Sequence, residues 1–347
     1  MKKNDIIDLI VAHVNHNDSA FKDVAYDIAM DFNKNGDKEL STYILSLFSS
    51  AFTLVPQSDT IESNYFRKET YSQNDPLFLP DKIQADLVGI INAAKRGIGI
   101  NKFLFVGAPG TGKTESVRQL GRILGRDVYS VNFEEVIDSK LGQSSKNIVS
   151  LFEEINHFAR PDKVIVLFDE IDGLALDRMN TRDIREMGRV TSSFLKCLDN
   201  LNQKVILVAT TNLYQSLDKA MTRRFDAVID FDCYSKQDIY EIADRFVSVY
   251  GSKIGFVRKE SRLLHKLLDL SDPMIRPGDL KNLIKTSLAF SDPESETDYL
   301  SRIYHSLKNT LDDDVTYLNS KGFTLREIET ITKISKSTIS RMLKEGE

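Results

Sequence analysis

The stretch "GAPGTGKT", residues 107–114, constrains the fold of this chain more than any other feature. It matches G-x-x-x-x-G-K-[ST], follows the apolar run "KFLFV" and precedes a helical pattern. Its three glycines, Gly107, Gly110 and Gly112, let the backbone turn and approach an anion with no side chain in the way. The loop amides and the helix N-terminus then face phosphate groups. The motif predicts a strand–loop–helix unit that binds ATP or GTP.

Two side chains of this loop have predicted roles of their own. Lys113 reaches the β and γ phosphates, and the Thr114 hydroxyl ligates Mg²⁺. The loop residues predicted to bind the nucleotide are Gly107, Pro109, Gly110, Thr111, Gly112, Lys113 and Thr114.

A second apolar run, "KVIVLFDEID", ends in the acidic pair Asp169 and Glu170. Ligands of parallel sheets bind at the carboxyl ends of the strands, where this pair falls. Asp169 is predicted to hold Mg²⁺, and Glu170 to orient and deprotonate the attacking water. The alternative is a pair of acids that caps a loop. A third run, "VILVATTN", ends in Asn212, whose amide can position the water, although Thr-Asn is also a turn signal.

Composition and charge exclude several classes of protein. The chain has 347 residues and a formal net charge of −5, so no overall basic field indicates nucleic acid or a membrane surface. No apolar run approaches the roughly 20 residues of a membrane helix. Two cysteines in unrelated contexts are typical of a reducing cytosol, and five histidines show no ligand spacing. We therefore expect a cytoplasmic protein without a membrane segment or a zinc site.

The order of these motifs, continued by "LDKAMTRRFD", resembles the AAA+ ATPases, in particular their protein-remodelling branch, over residues of about 81–290. The resemblance implies ATP and Mg²⁺ as cofactors and identifies Asn212 as the first sensor residue. It identifies Arg223 and Arg224 as arginine fingers that complete the site of a neighbouring subunit. A homo-oligomer, specifically a hexamer, follows from that role. The alternative for Arg223 and Arg224 is a solvated basic pair.

The resemblance also places a lid residue and a pore loop. Arg276, just before "PGDLKNLI", is the candidate second sensor; the alternative is an arginine on the lid surface. The pore loop falls on Lys140, Leu141 and Gly142. The family usually has an aromatic residue before that glycine, so its absence here favours limited remodelling over vigorous threading.

The predicted fold is α/β: a P-loop NTPase parallel sheet with helices on both faces and an all-helical lid, flanked by small helical N- and C-terminal modules. We expect five segments, described by their ranges. They are a helical recruitment module (1–55), a linker (56–80), the α/β ATPase domain (81–235), the helical lid (236–292) and a C-terminal region (293–347).

The C-terminal sequence "GFTLREIETITKISKSTISRMLKEG" predicts a helix-turn-helix over residues 321–344 and resembles those of resolvases and bacterial regulators. In that motif the second helix enters the major groove of DNA, so the candidate contacts are Lys336, Ser337, Thr338 and Arg341. From residue 321 to 347, six basic residues face four glutamates, a modest positive balance for binding double-stranded DNA. The alternative is a helical hairpin that contacts protein.

Three functions remain open at this level. The first is an ATP-hydrolysing ring that remodels or regulates a partner protein. The chain is similar to bacterial and phage AAA ATPases encoded beside subtilisin-like proteases, which makes such a protease or a defence or mobile-element component a candidate partner. The second is a DNA-bound ATPase, a loader or a transposition or defence regulator. The third is an ATP-dependent assembly switch.

Overall fold

The computed structural model describes most of the chain. The described residues are 3–14, 18–34, 40–41, 65–69, 76–131, 133–136, 143–172, 184–255, 257–308 and 315–345. Two helices, α1 (Lys3–Val14) and α2 (Asp18–Lys34), pack against each other at the N-terminus. Helix α2 contacts Arg160, which lies just before the strand of residues 164–168. The Arg160 guanidinium lies 2.7 Å from a carboxylate oxygen of Asp27 and over the ring of Tyr26. The third apolar segment of the predicted N-terminal module lies almost entirely outside the described residues.

A six-stranded sheet forms the centre of the molecule. Its strands are β1 (Phe66–Lys68), β2 (Lys102–Val106), β3 (Asp127–Val131), β4 (Val164–Phe168), β5 (Ile206–Thr211) and β6 (Ala227–Asp230). The order is β1-β3-β4-β5-β2-β6, and every pairing is parallel except that of β1 with β3. The predicted α/β fold with a largely parallel sheet is therefore confirmed.

Helices cover both faces of this sheet. They are α3 (Asp81–Arg96), α4 (Lys113–Leu124), α5 (Phe133–Val136), α6 (Gln143–Asn156), α7 (Ile184–Asp199) and the short α8 (Lys219–Thr222). Alternate residues of β2 serve the two faces: Phe103 and Phe105 pack with α3 and α4, whereas Leu104 and Val106 belong to the core formed with α6 and α7. Burial on both faces explains why these strands appear in the sequence as unbroken apolar runs.

The segment interpreted as a linker contributes structure to the sheet. Strand β1 lies within it and pairs antiparallel with β3 at the sheet edge. The Phe66 ring packs against Tyr129 and Phe158, which anchors this strand in the core. Three residues on an edge give too short an alternation to be recognised in a polar sequence, which is why the sequence suggested a linker.

In the part of the chain that the structure describes, seven helices follow the sheet. They are α9 (Lys236–Ile254), α10 (Ser261–Leu268), α11 (Pro277–Ala289), α12 (Asp298–Lys308), α13 (Val315–Ser320), α14 (Leu325–Thr332) and α15 (Lys336–Glu345). Buried side chains from all seven belong to one hydrophobic cluster, from Ile239 in α9 to Ile339 in α15. The boundary drawn between residues 292 and 293 therefore does not separate two cores, and the lid and the C-terminal helices form one body.

Capping residues mark the boundaries of the last two helices, α14 and α15. Thr324 and Glu327 form a capping box at the start of α14, and Lys333 ends that helix with a left-handed φ of 60°. The Ser335 hydroxyl accepts the Thr338 amide at 3.3 Å at the start of α15. A tight helix–turn–helix results, packed on α12. Within the described residues, every helix is too short or too polar to cross a bilayer.

Candidate functional site

The loop that joins β2 to α4 runs in a conformation that its glycines allow. Gly107 has φ 146° and Gly110 has φ 79°, values that side chains strongly disfavour. A Cβ on Gly107 would also come within 3.0 Å of the Phe231 Cβ. The loop therefore presents bare backbone at the carboxyl end of β2, as the sequence motif predicted.

Distant side chains hold this loop in place. The Ala108 amide donates to the Asp232 carboxylate at 2.7 Å, and the Tyr234 hydroxyl donates to the Thr111 carbonyl at 2.7 Å. The Thr111 hydroxyl donates to the Ala108 carbonyl at 2.8 Å. The segment that follows β6 thus buttresses the loop from outside.

Lys113 is buried and its ammonium group points back into the loop. It donates to the carbonyls of Gly107 at 2.6 Å and Ala108 at 2.9 Å, and to the Asn212 side-chain oxygen at 2.8 Å. Burial lowers the pKa of Lys113 from its ordinary value, although nearby carboxylates, Asp232 foremost, oppose that shift. The predicted phosphate-binding lysine and the predicted sensor asparagine therefore meet at one point.

The acidic pair lies beside this lysine. The Thr114 hydroxyl donates to Asp169 at 3.0 Å, which brings together the two residues predicted to hold Mg²⁺. Glu170 is exposed and has a left-handed φ of 54°. Its side chain accepts the Asn212 side-chain amide at 3.2 Å. The four predicted groups Thr114, Asp169, Glu170 and Asn212 therefore occupy one edge of the sheet.

A cavity of about 310 Å³ opens next to these groups, a size that fits a small-molecule ligand. Its lining combines the loop and the carboxylates with apolar and aromatic side chains, which are Leu77, Phe78, Tyr234 and Phe246. The rings of Phe78 and Phe246 meet edge to face, so the segment that precedes α3 contacts helix α9 at the wall of the cavity. A lining of both kinds suits a ligand that has a charged part and a flat apolar part.

The lid touches the loop directly. The Gly278 amide in the first turn of α11 donates to the Gly110 carbonyl at 2.8 Å, and a Cβ on Gly278 would come within 2.9 Å of that oxygen. Arg276 is exposed and donates to the Pro109 carbonyl at 3.4 Å, without lining the cavity. Lys281, one turn further along α11, does line it. Helix α11 thus lies against the side of the cavity that the loop forms.

The two adjacent arginines differ in their surroundings. Arg224 is half-buried, donates to the Ala220 carbonyl at 3.1 Å and lies 3.4 Å from Asp199 of α7. Arg223 is exposed, and its guanidinium has no ion pair with any residue that the structure describes. Among the described residues that line the cavity, neither Arg223 nor Arg224 is found.

The remaining predicted residues lie away from this cavity. Lys140, Leu141 and Gly142 fall outside the described residues. In α15, Lys336, Ser337 and Arg341 are exposed, while Thr338 is half-buried and bonded to Ser335. The Lys336 amide donates to the Glu329 carboxylate at 2.9 Å, which places an acid at the start of this helix.

Several residues of the site carried no recognisable sequence signal. They are Leu77, Phe78, Asp172, Thr210, Asp232, Tyr234, Phe246, Gly278 and Lys281. Each comes from a segment far from the phosphate loop in the sequence or from an ordinary strand position. Only Asp172 and Thr210 could have been suspected from the sequence. Asp172 lies two residues after Glu170 and Thr210 two residues before Asn212, so both fall at the same edge of the sheet as the predicted residues.

Comparisons with known proteins agree with this geometry. Residues 103–233 match the sequence model of the family described as "ATPase family associated with various cellular activities (AAA)". That segment runs from β2 past β6 and contains the phosphate loop, the acidic pair and both arginines. Residues 103–233 are therefore similar to the ATPase domain of the AAA family.

Curated relatives and solved structures cover different parts of the chain. An uncharacterized AAA family ATPase of Sinorhizobium fredii is 35% identical over 170 residues, which is 47% of this chain and 50% of the relative. A putative 26S proteasome regulatory subunit homolog of Methanothermobacter thermautotrophicus is 26% identical over 207 residues, 59% of this chain and 54% of that protein. The chain thus spans about half the length of these relatives. The crystal structure of the FIGL-1 AAA domain shares the fold, with a TM-score of 0.51 at 19% identity over 75% of this chain and 91% of that one.

Proposed function

We propose that this chain hydrolyses ATP in an assembly of like subunits and uses the cycle to remodel or regulate a partner protein. The observation that supports the proposal best is the convergence of Lys113, Asp169, Glu170 and Asn212 at the polar end of the cavity. A structural role for these acids alone would not require the phosphate loop, the lysine and the asparagine at the same place.

The residues present fit a nucleotide with Mg²⁺. The loop offers backbone amides next to glycines with positive φ, and the cavity lining includes apolar and aromatic side chains that suit a base. Thr114 and Asp169, already bonded to each other, would hold Mg²⁺. When bound, that ion would neutralise charge on the phosphate oxygens.

The protein's own groups supply the other parts of the chemistry. The Lys113 ammonium donates to the carbonyls of Gly107 and Ala108 and to Asn212, and it would hold the phosphates from this position in the loop. Glu170, exposed at the cavity edge, orients a water molecule and accepts its proton. Asn212 donates to Glu170 and holds that carboxylate in reach.

The arginines support an assembly. Arg223 is exposed and unpaired among the described residues, and it does not line its own cavity. A guanidinium in that setting is free to stabilise the transition-state charge in the site of a neighbouring subunit. Arg224, held by Asp199 and the Ala220 carbonyl, fixes the backbone from which Arg223 projects. A closed ring, which we take to be a hexamer, gives every site such a neighbour.

The relatives and the flanking helices support the proposed type of work. One relative is named as a homolog of a proteasome regulatory subunit, which favours a protein as the object of remodelling. The helices α1 and α2 extend from the ATPase domain and offer a place to recruit it. A protease of the subtilisin type is the specific partner that we propose on the grounds of family resemblance.

Replacing Lys113 by Ala tests the nucleotide site. We expect the variant to lose ATP binding and hydrolysis while the protein stays folded, because the hydrogen bonds of the lysine to described residues go to the loop and to Asn212. Binding of a fluorescent ATP analogue and phosphate release measure the two steps. Lys95→Ala, on the exposed face of α3, is the control. Turnover at the wild-type rate in Lys113→Ala would refute the proposal.

A DNA-bound ATPase is the second candidate, favoured by one observation. The helix–turn–helix of α14 and α15 presents Lys336, Ser337 and Arg341 on an exposed face. Glu329 at the start of α15 works against it, since a carboxylate there repels phosphate. Arg341→Glu should abolish duplex binding that weakens steeply with salt if this candidate is right. Absence of any salt-sensitive duplex binding by the wild-type chain would exclude it.

A further inference from the structure

We propose that Thr210 is a positioning residue for the acidic pair: its hydroxyl fixes both the Asp169 carboxylate and the backbone of Glu170. The inference rests on the proposed function, since it assigns a role in ATP hydrolysis. Thr210 lies near the end of β5 and is fully buried, two residues before Asn212 and outside the phosphate loop.

The hydroxyl of Thr210 bridges two neighbouring residues in the turn that follows β4. It donates to Asp169 Oδ1 at 2.6 Å and accepts the Glu170 backbone amide at 2.9 Å. One hydroxyl can serve as donor and acceptor at once, so both bonds are satisfied. The Thr210 carbonyl also accepts the Ile171 amide at 3.0 Å, so three consecutive residues of the acidic segment depend on one residue of β5.

The Glu170 backbone needs such an anchor. A φ of 54° is costly for a residue with a Cβ, and backbone strain of this kind persists only where surrounding contacts enforce it. The bond from the Glu170 amide to Thr210 is a contact of that sort. This turn also brings the Glu170 carboxylate to within 3.2 Å of the Asn212 amide. The Thr210 hydroxyl therefore sets the direction in which the proposed base points.

The hydrogen bond from Thr210 to Asp169 fixes the orientation of the second carboxylate. Asp169 Oδ1 accepts from both Thr210 and Thr114, so the carboxylate is held from β5 on one side and from α4 on the other. Partners of this kind, which orient the ligands of a metal, typically change activity by about 10–100-fold when they are removed. A valine at position 210 would fit the strand equally well, so a purely structural role would not need the hydroxyl.

The test compares variants that differ by the hydroxyl. Thr210→Val keeps the β-branched shape and removes both bonds, while Thr210→Ser keeps the hydroxyl. Thr191→Val is the matched control, because Thr191 is buried in α7 and its hydroxyl has no hydrogen-bond partner among the described residues. Three quantities are measured: kcat and KM for ATP with Mg²⁺, ATP affinity in EDTA, and hydrogen exchange of the Glu170 amide in the nucleotide-free protein.

We expect Thr210→Val to lower kcat by about 10–100-fold and to leave ATP affinity in EDTA unchanged, because the phosphate loop is untouched. Its Glu170 amide should exchange faster than in the wild-type protein. Thr210→Ser and Thr191→Val should match the wild type in all three quantities. If Thr210→Val does not fold, Thr210→Ser and Thr210→Ala make the same comparison, since these two also differ by the hydroxyl alone.

Two results would overturn the inference. One is a Thr210→Val protein with wild-type kcat and unchanged exchange at Glu170; the other is a Thr210→Ser protein as impaired as Thr210→Val. Failure of the proposed function has a different signature. The wild-type protein would then show no ATP hydrolysis, whereas the exchange measurement would still report whether Thr210 holds the Glu170 amide.

Discussion

At the scale of single residues, the adjacent arginines Arg223 and Arg224 have the same side chain but differ in burial and in partners. Arg224 is tied to Asp199 and to the Ala220 carbonyl, whereas Arg223 is exposed without an ion pair to any described residue. Arg223 is therefore the one we assign to the site of a neighbouring subunit, and Arg224 the one that supports it.

This assignment predicts complementation between two inactive variants. Arg223→Ala keeps an intact phosphate loop but supplies no arginine to the neighbouring site. Lys113→Ala supplies that arginine but has an inactive site of its own. Each alone should be inactive, and an equimolar mixture should recover part of the ATP hydrolysis, because some sites combine an intact Lys113 with a neighbour's Arg223. Arg224→Ala should instead lower the thermal unfolding midpoint. An inactive mixture, with co-assembly verified, would contradict the role of Arg223 in a shared site.

The sequence predicted the residues of the site that lie in the phosphate loop or at the end of an apolar strand. Spacing within one loop, or position at a strand end, brought out Lys113, Asp169 and Asn212 because the local backbone alone determines where they point. Tyr234 and Gly278 escaped prediction, since their contacts with the loop depend on how the lid folds back over it. No local pattern contains that information.

At the scale of elements, Asp298 joins the start of α12 to the turn between α14 and α15. It is buried and lies 2.5 Å from the Lys333 ammonium and 2.9 Å from the Arg302 guanidinium, and it accepts the Asp292 amide at 2.9 Å. Burial opposes ionisation, but the bonds to Lys333, to the Asp292 amide and to Arg302 outweigh it and lower the pKa of Asp298 to about 2.

A lowered pKa predicts how stability depends on pH. The contribution of Asp298 is present above the unfolded pKa of about 3.9 and is lost as the pH falls toward 2. Asp298→Asn should therefore lower the free energy of unfolding by about 2 kcal/mol at pH 7 and by progressively less below pH 4. Denaturant titrations at several pH values measure this. Asp86→Asn, on the exposed face of α3, is the control, and a pH-independent difference for Asp298→Asn would contradict the account.

The sequence predicted those strands whose side chains are buried on both faces of the sheet. Strands β2, β4 and β5 appear as continuous apolar runs because helices cover both faces of the sheet. Strand β1 was not predicted, because it has three residues at an edge. The boundary at residue 292 reflected a polar stretch in the sequence, yet Leu300 and Ile303 beyond it pack into the core of the lid.

At the scale of the whole molecule, the cavity lies between two bodies. The sheet contributes the loop and the carboxylates, and the helical body contributes Phe246, Gly278 and Lys281. A ligand that fills this cavity contacts both bodies, so its binding changes the free energy of their relative arrangement. The C-terminal helices share the core of the lid, and any movement of the lid therefore carries α14 and α15 with it.

The central claim is that this chain hydrolyses ATP through Glu170, and one measurement tests it most directly. ATP binding and phosphate release are compared between the wild-type protein and Glu170→Gln, which keeps the size of the side chain and removes its basicity. We predict unchanged ATP affinity and a fall in turnover of about 100-fold or more, as expected for loss of a general base. Wild-type turnover in Glu170→Gln would contradict the account.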